Sequence, residues 1–475
     1  MRPVLALVPA LVPALALALA CQPEGETNEP AEPLRDPSGN VKLILNVPGG
    51  EAPTDSCDAE VCTALVRLLD DAERSIDFAV YGMRNQSTIL EALKRAKARG
   101  VDVRGVVDRD AEGKNYYSST EQWIEALGAI HDDRKEDVGR QKDKDKGGST
   151  YEPKCPRPEG FEGPVQCLAY DLGDQCLMAA HASREPLDGA DAIMHNKFFV
   201  VDSRFVWTGS TNVSDSGTGG YNANLVTVID SRKIASAYLQ EMDQMFVKGK
   251  YHRAKKSNGI LRAELANAEV EVLFSPQDTP IRERVRPILK GAKESIDVAV
   301  FFLTHKHIAA DLIKLHRKGV KVRVIIDATA AKNGYTKHEL LRAAGIPVKV
   351  ENWGGKMHMK SAVVDGKTVI TGSMNWTTAG DDDNDENVVI LHSAEHGQQY
   401  SEFFEEIWGR IDDRWLKENP DPESQNSGTA CTDGVDNDFD HQDDLADAGC
   451  SDNPPPLPAL PPYRLMPKQT MTCEW

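Results

Sequence analysis

A duplicated pattern of polar residues constrains this chain more than any other feature. Each copy has a His, a Lys two positions later and an Asp five positions after the Lys, and the segment Gly-Ser-x-Asn follows at the same distance. The two sets are His195, Lys197, Asp202, Ser210 and Asn212, and His358, Lys360, Asp365, Ser373 and Asn375. One such pattern is weak evidence, whereas two with the same trailing segment indicate that the chain contains two related halves.

The spacing has a direct meaning on a β-strand. Residues two apart on a strand point to the same face, so each His shares a face with the Lys that follows it. Asp202 and Asp365 take the opposite parity. A His and a Lys, with a Ser hydroxyl and an Asn amide on the next strand, form half of a cradle for an anionic oxygen. Two halves form a complete site.

A wider repeat predicts an α/β fold. The matching segments are 75–81 with 295–301 and 101–108 with 320–327. Short β-branched runs alternate with amphipathic helices, which we predict over residues 88–99 and 308–318, each ending before a Gly. We therefore expect two halves related by a pseudo-twofold axis, residues 41–250 and 265–416, each a mainly parallel β-sheet flanked by helices.

The paired motif resembles the signature of the phospholipase D superfamily, and the resemblance covers most of residues 41–409. It implies hydrolysis of a phosphodiester without a cofactor: one His attacks phosphorus to give a phospho-histidine, and the other protonates the leaving alcohol. The lysines hold the anionic oxygens, and the Ser and Asn side chains donate hydrogen bonds to them. The implied catalytic residues are His195, Lys197, Ser210, Asn212, His358, Lys360, Ser373 and Asn375, whereas Asp202 and Asp365 are implied to be structural.

One difference between the copies bears on the roles of the two histidines. The second copy has Asp385-Glu386-Asn387 before a strand, where the first has Asn222-Ala223-Asn224. A carboxylate bonded to an imidazole favours the protonated form of the ring. We therefore expect Glu386 to pair with His358 as the general acid, which leaves His195 as the neutral nucleophile.

The two halves differ in an insertion at about residues 131–190. It is polar, it contains Gly147-Gly148, and it carries Cys155, Cys167 and Cys176. A stretch this long in a compact fold is either functional or disordered. It is interpreted either as a stapled loop near His195, acting as a lid or a substrate-selecting wall, or as a decorative surface insertion.

The N-terminus predicts export. Residues 1–20 contain an apolar run typical of a signal peptide, and Cys21 follows it, either as a lipidation site or beside a simple cleavage site. Residues 21–40 are predicted to be a flexible tether. Setting Cys21 aside, eight cysteines remain, and because they form no C-x-x-C pair we expect disulfides, including Cys431–Cys450.

Residues 417–475 are predicted to contain a linker, an acidic module and a proline-rich tail at 454–462. Carboxylates stand at positions 1, 3, 5, 9 and 12 of an EF-hand-like loop, at Asp436, Asp438, Asp440, Asp444 and Asp447. His441 replaces the turn glycine, and no flanking helices are predicted. The module is read either as a small Ca²⁺ site closed by Cys431–Cys450 or as a solvated acidic tail.

The charge distribution bears on the substrate. Most of the net charge of −19 comes from residues 21–60 and 417–475, and no basic patch indicates a nucleic-acid footprint. The run Asp381–Asp385 is read as a solvated loop that repels polyanions. Trp353 and Trp376 flank the second motif and are expected either to line a lipid or base pocket or to pack in the core.

The sequence predicts an exported phosphodiesterase that hydrolyses phospholipid head groups at a membrane surface, either as a lipoprotein or as a secreted protein. Three alternatives remain: a secreted endonuclease of the same superfamily, a phosphatidyl transferase, and a calcium-dependent surface binding protein that has lost activity. The intact His, Lys, Asp and Asn positions in both copies argue against the last of these. Head group and oligomeric state stay open.

Overall fold

The computed structural model describes residues 33–144, 165–167, 175–178, 192–333, 335–438, 440–451, 454 and 464–467. The predicted signal segment, Cys21 and most of the predicted tether and insertion lie outside the described residues. The last residues of the predicted tether include a short strand, Leu34–Arg35, which pairs in parallel with Leu261–Glu264. No helix in the described residues combines the length and apolarity that a bilayer crossing requires.

The first half is built on a mixed sheet. In spatial order its strands are Asn40–Asn46, Asn224–Asp230, Phe205–Gly209, Lys197–Val201, Ser75–Val80, Asp102–Val107 and Ile130–Asp132. The last three strands run parallel, as strand–helix–strand connections require. The hairpin Lys197–Val201/Phe205–Gly209 adds antiparallel pairs, so parallel order is confined to one side of the sheet.

The second half repeats this plan. In spatial order its strands are Leu34–Arg35, Leu261–Glu264, Glu269–Ser275, Glu386–His392, Thr368–Gly372, Lys360–Val364, Ser295–Val300, Lys321–Ile326 and Val348–Val350. The hairpin Lys360–Val364/Thr368–Gly372 pairs with Ser295–Val300 as its counterpart does with Ser75–Val80. The predicted α/β class with two matching halves is confirmed.

Helices cover the outer faces of the sheets and also lie between them. The α-helices are Glu60–Asp70, Ser87–Ala98, Thr120–Leu127, Arg134–Lys144, Arg232–Met242, Arg286–Gly291, Lys306–Arg317, Ala328–Ala331, His338–Ala343, Thr378–Asp382 and Ala394–Arg410, with π-helical turns at Asp243–Val247 and Ile281–Val285. The helices Ser87–Ala98 and Lys306–Arg317 stop as predicted, because Gly100 and Gly319 adopt φ of 90° and 95°. Such a conformation is strained for other residues.

A shared apolar core joins the two halves. Phe198 and Val200 face this core, whereas Phe199 and Val201, one residue along, face the outer core of the first half. The shared core also contains Tyr238 and Phe404, from the helices Arg232–Met242 and Ala394–Arg410. Because both faces of the central strands are buried, their sequences are apolar runs rather than alternating ones.

Short elements complete the described part of the chain. Val165–Cys167, Gln175–Met178 and Arg464–Pro467 form a small antiparallel sheet that joins the insertion to the C-terminal tail. The predicted Cys431–Cys450 disulfide is confirmed, and Cys57 pairs with Cys62.

Candidate active site

The two histidines lie where the halves meet, and each is held by main chain from the other half. His195 precedes the strand Lys197–Val201, and its N–H donates to the carbonyl of Asp385 at 2.9 Å. His358 precedes Lys360–Val364, and its N–H donates to the carbonyl of Ala223 at 3.0 Å. The duplicated motifs therefore converge through a reciprocal exchange of backbone hydrogen bonds.

Glu386 pairs with His195, so the predicted pairing with His358 is wrong. The His195 Nδ1 lies 2.8 and 2.9 Å from the two carboxylate oxygens of Glu386. Glu386 is fully buried and also accepts a hydrogen bond from the Ser373 hydroxyl at 2.7 Å. The physical reason is the pseudo-twofold axis. It places the N-terminal end of the strand Glu386–His392 beside His195, and that of the strand Asn224–Asp230 beside His358.

The His358 ring is held by a neutral group. Its Nδ1 lies 2.9 Å from the carbonyl oxygen of Ser210. A carbonyl oxygen only accepts, so this nitrogen carries the proton. Since Nδ1 is occupied in both rings, Nε2 is the nitrogen that each offers to a ligand. Both histidines line one cavity of about 530 Å³.

The two lysines are buried beside the histidines. The Lys197 ammonium donates to the carbonyl of His195 at 2.9 Å, whereas the Lys360 ammonium has no hydrogen-bond partner among the described residues. Burial lowers the pKa of Lys197 to about 7. Burial, followed by the charge of Lys197, lowers the pKa of Lys360 well below its usual value. Neither lysine is among the residues that line the cavity, so in this structure their charge, rather than a direct hydrogen bond, favours an anion bound there.

The electrostatics favour neutral imidazole rings. Burial and the two neighbouring ammonium groups lower the pKa of both His195 and His358. Burial raises the pKa of Glu386 to about 8, against the lowering effect of Lys197. A bound phosphate would offset the positive charge and raise the proton affinity of both rings.

The Ser and Asn residues of the motifs divide into two roles. The Ser210 and Ser373 hydroxyls donate to Asn224 (2.8 Å) and Glu386 (2.7 Å), and neither residue lines the cavity, so their predicted donation to phosphate is not what the structure shows. Asn212 and Asn375 do line the cavity. Their Oδ1 atoms are buried without a hydrogen-bond partner in the described part of the chain, and the Asn212 Nδ2 donates to the Tyr117 hydroxyl at 2.8 Å.

Asp202 and Asp365 bind backbone rather than ligand. The Asp202 carboxylate accepts hydrogen bonds from the backbone N–H groups of residues 73, 74 and 75, at 2.7 to 3.3 Å. Asp365 does the same for residues 293, 294 and 295, at 2.7 to 3.1 Å. These bonds lower the pKa of both carboxyls despite partial burial, and they hold the strands Ser75–Val80 and Ser295–Val300 against the two hairpins.

Two buried carboxyl pairs support the histidines and were missed in the sequence. The N–H of Met194 donates to Asp108 (2.8 Å) and Asp133 (3.2 Å), and the N–H of Met357 donates to Asp327 (3.0 Å). Glu351, beside Asp327, takes the place of Asp133 in the second half, and burial raises the pKa of all four carboxyls. The signal was present, because Asp108 and Asp327 end equivalent strands of the repeat.

Two sequence-based expectations about the mouth of the site are corrected. The run Asp381–Asp385 is not a solvated loop: Asp381 and Asp385 are buried, and the Asp385 carboxylate lies 2.7 Å from the Lys255 ammonium. Trp376 packs in the outer core of the second half and Trp353 against the shared core, so neither lines the cavity. Tyr81, Tyr116, Tyr117, Tyr221, Phe301 and Phe302 supply its aromatic lining.

The acidic module brings together most, but not all, of the predicted ligands. Asp438, Asp440 and Asp447 offer oxygens within 4.8 Å of one another, and Asp436 and Asp438 do so with Glu423, which sequence reasoning missed. Among the described residues Asp444 belongs to neither group, and its carboxylate accepts the N–H of Gly434 at 3.1 Å. Glu423 lies outside the loop pattern, so spacing could not find it. Calcium binding stays a prediction.

Comparison with known proteins identifies a family. The model of the family described as "Cardiolipin synthase, PLD-like domain" matches residues 65–246 and 285–408, more than half of the chain. Both motifs fall within these ranges.

Individual relatives match parts of the chain. The mitochondrial cardiolipin hydrolase of Mus musculus is 36% identical over 137 residues, 29% of this chain and 62% of that protein. The phospholipase D of Rickettsia conorii is 34% identical over 138 residues, 29% of this chain and 68% of that protein. The chain thus spans about three fifths of the length of the mouse relative. The phosphatidylserine synthase of Haemophilus influenzae shares the fold, with 13% identity and a TM-score of 0.52 over 80% of this chain and 89% of that one.

Proposed function

Because the chain belongs to the phospholipase D superfamily, through its cardiolipin synthase, PLD-like domain family, we propose that it hydrolyses the head-group phosphodiester bond of phospholipids. One observation carries the proposal. Two histidines, each with Nδ1 already bonded, face one cavity beside two buried lysines, and the ammonium of Lys360 has no hydrogen-bond partner in the described structure. This arrangement fits a phosphate anion.

In the first step, His195 Nε2 attacks phosphorus and forms a phospho-histidine. The bound phosphate raises the proton affinity of His358, whose Nε2 takes a proton from solvent before the reaction. The bond from phosphorus to the leaving oxygen then breaks, and that oxygen takes the proton from His358 Nε2. Lys197 and Lys360 neutralise the non-bridging oxygens, with the Asn212 and Asn375 side chains beside them. The two rings come from opposite halves and line one cavity, and the proposal places them on opposite sides of one phosphorus atom.

In the second step, water replaces the histidine. His358 Nε2, now neutral, takes a proton from the water, whose oxygen attacks phosphorus as the bond to His195 breaks. The products are the free head-group alcohol and a phosphate monoester. The charge that the reaction requires is supplied in this proposal by the two lysines, and no metal enters either step.

Glu386 supports the assignment of His195 as the nucleophile, for a reason different from the sequence argument. A carboxylate at Nδ1 keeps the proton on that nitrogen and leaves the Nε2 lone pair towards the cavity. Once phosphorylated, the ring is a cation, which lowers the pKa of Glu386 from the value of about 8 that burial gives it, and the ionised carboxylate then stabilises the ring. The His358 Nδ1 faces two neutral oxygens, the Ser210 carbonyl (2.9 Å) and Asn224 Oδ1 (3.4 Å), and without a carboxylate partner the ring gives up its Nε2 proton more readily.

Export forms part of the proposal. The disulfides Cys57–Cys62 and Cys431–Cys450 support a location outside the reducing cytoplasm. An exported phosphodiesterase would meet its lipid substrates at a membrane surface.

A diester with a good leaving group separates the two histidine roles. With bis(4-nitrophenyl) phosphate, the first step needs no acid, so His358→Asn should still release one equivalent of nitrophenol in a burst and then stall. His195→Asn should give no burst, and both should fold as the wild type does. Turnover of the wild type should persist in EDTA. A burst that survives in His195→Asn and is lost in His358→Asn would reverse the assignment, and equal turnover of all three proteins would end the proposal.

A further inference from the structure

The segment that joins the two halves passes behind His195. It covers residues 248–260 and leads into the strand Leu261–Glu264. Two of its basic side chains, His252 and Lys255, are buried, at 2% and 5% exposure. A linker that only connects two halves keeps its basic side chains in water, and a lysine is seldom buried without a partner. The burial of these two side chains therefore indicates specific contacts.

Asp385 is the common partner of both side chains. Its Oδ1 accepts the backbone N–H of His252 at 2.7 Å and lies 2.7 Å from the Lys255 ammonium, and its Oδ2 lies 3.2 Å from the His252 Nδ1. Lys255 also pairs with Glu241 and donates to the carbonyl of Ser275 at 3.1 Å. Burial opposes the charge on Lys255, but Asp385 and Glu241 outweigh it and raise the pKa of the ammonium. The linker therefore binds both oxygens of the Asp385 side chain.

The other nitrogen of the His252 ring contacts the first half through Asp133. Its Nε2 lies 3.1 Å from the Asp133 Oδ2, and this same oxygen accepts the N–H of Met194 at 3.2 Å. The N–H of the next residue, His195, donates to the carbonyl of Asp385 at 2.9 Å. One imidazole thus bridges two acidic residues, and each of them binds a backbone N–H at or next to the histidine of the site.

His252 adopts an unfavourable backbone conformation at this position. Its φ is 53°, in the left-handed region. A residue with a Cβ is strained there, and such strain persists where the surrounding contacts determine it, often at functional sites. Gly and Asn adopt this conformation more readily, so a turn alone would be better served by either of them. The contacts of the ring therefore offset the strain of the backbone.

These contacts act on one of the two histidines. In the second motif the N–H of His358 donates to the carbonyl of Ala223, which stands where Asp385 stands in the other copy. Alanine offers no side-chain group for a comparable contact. Glu386, the next residue after Asp385, binds the His195 Nδ1 at 2.8 Å. Fixing Asp385 thus fixes both the backbone acceptor of His195 and the carboxylate that orients its ring.

We propose that His252 is a positioning residue for the nucleophile: its ring holds Asp133 and Asp385 together, and these two fix the backbone of His195 so that its Nε2 is aligned with phosphorus. This inference rests on the proposed function, which makes His195 the nucleophile. Lys255 contributes by holding Asp385 as well. Attack requires alignment of the reacting atoms, whereas binding of a phosphate anion by buried charges does not. Loss of the ring therefore slows attack and leaves phosphate binding unchanged.

The rate of the first step and the affinity for phosphate test this expectation together. His252→Asn suits the left-handed backbone and removes the ring. With bis(4-nitrophenyl) phosphate the variant should release the first equivalent of nitrophenol about 10-fold more slowly than the wild type, as expected for a small displacement of the attacking atom. Its affinity for inorganic phosphate, measured by calorimetry on the full chain, should stay within about twofold of the wild type. Lys256→Met, an exposed change in the same linker, is the matched control and should alter neither quantity.

A signal from His195 itself separates positioning from a general loss of structure. In NMR spectra of protein labelled with 15N-histidine, the His195 Nδ1–H signal should shift or broaden in His252→Asn, whereas the His358 Nδ1–H signal should not move. Asp385→Asn keeps the volume of the side chain and should slow the first step in the same way. The double variant should be no slower than the slower single variant, because both changes act through one contact.

The outcomes distinguish this inference from the proposed function. If folded His252→Asn releases the first equivalent as fast as the wild type, or loses rate and phosphate affinity equally, the positioning role is overturned and the proposed function stands. Additive losses in the double variant also overturn it. If His252→Asn does not fold, Asp385→Asn decides by the same rate, affinity and NMR comparisons. A wild type that gives no burst, with a His195 signal that still responds to His252→Asn, would end the proposed function and leave the contact standing.

Discussion

Replacing Lys197 with Met is expected to stabilise the folded protein while abolishing turnover. The Lys197 side chain is fully buried, and burial lowers its pKa from 10.5 to about 7. A protonated lysine here costs the folded state roughly 5 kcal/mol below pH 7, at 1.36 kcal/mol per tenfold change in proton affinity. The variant also loses the hydrogen bond from Lys197 to the His195 carbonyl, worth about 1–2 kcal/mol. The net gain in the free energy of unfolding is roughly 3 kcal/mol.

The direction of the pKa shift fixes how this gain depends on pH. Above pH 10.5 the lysine is neutral in both the folded and the unfolded chain, so burying it carries no charge penalty. As the pH falls, the unfolded chain binds the proton first, and the penalty grows until the folded protein also binds it near pH 7. The stabilisation of Lys197→Met is therefore complete below pH 7 and is lost between pH 7 and 10.5.

Urea unfolding at pH 7 and pH 10 measures both effects. The midpoint of Lys197→Met should exceed that of the wild type at pH 7, and the difference should shrink at pH 10. Lys318→Met, at an exposed position, is the control and should move neither midpoint. Inorganic phosphate should stabilise the wild type more than Lys197→Met, because the ligand binds the folded state through this ammonium. A variant less stable than the wild type at pH 7, or a gain equal at both pH values, would show that the lysine is not held as an unfavourable buried cation.

Three further predictions follow from contacts at the site. Glu386→Gln should slow the burst with bis(4-nitrophenyl) phosphate by about 100-fold, since the amide cannot stabilise a phosphorylated His195 as a carboxylate does; an unchanged burst rate would remove Glu386 from the mechanism. Asp202→Asn should lower the free energy of unfolding by about 2 kcal/mol, because the substitution weakens hydrogen bonds to backbone N–H groups. KM should not change, because Asp202 lies outside the cavity. A change confined to KM would contradict this prediction. Replacing Cys431 and Cys450 together by Ser should lower the free energy of unfolding of residues 431–450 by roughly 3 kcal/mol. The variant should therefore be cleaved faster by protease within this segment. Equal proteolysis of the two proteins would count against a structural role for the disulfide.

The sequence was sufficient for residues that act within one copy of the repeat. The spacing from His to Lys predicts a shared face, and in the structure His195 and Lys197 lie together in the site. The helix ends at Gly100 and Gly319 are equally local, because a positive φ at a helix terminus is a property of one residue. Cys431–Cys450 could be predicted because the two cysteines bracket one compact acidic segment.

The predictions that failed concern contacts across the pseudo-twofold axis. Glu386 belongs to the second copy but bonds to the histidine of the first, and a comparison of the copies could not reveal this exchange. The Ser373 hydroxyl was expected to donate to phosphate, but in the structure it donates to Glu386. Glu423 meets Asp436 and Asp438 only because the chain folds back after residue 423. The negative charge expected at the mouth from Asp381–Asp385 is instead supplied by a segment some fifty residues later.

The exchange of hydrogen bonds around the histidines also bears on ancestry. Each half supplies one histidine ring of the site and also the group bonded to the ring of the other half, so a single half of this kind holds only part of the site until a second copy docks against it. Fusion of two copies into one chain removes the dependence on concentration and releases both copies from the need to be identical. Asn224 and Glu386 occupy equivalent places beside Ser210 and Ser373, and they are a position at which the two copies differ in charge.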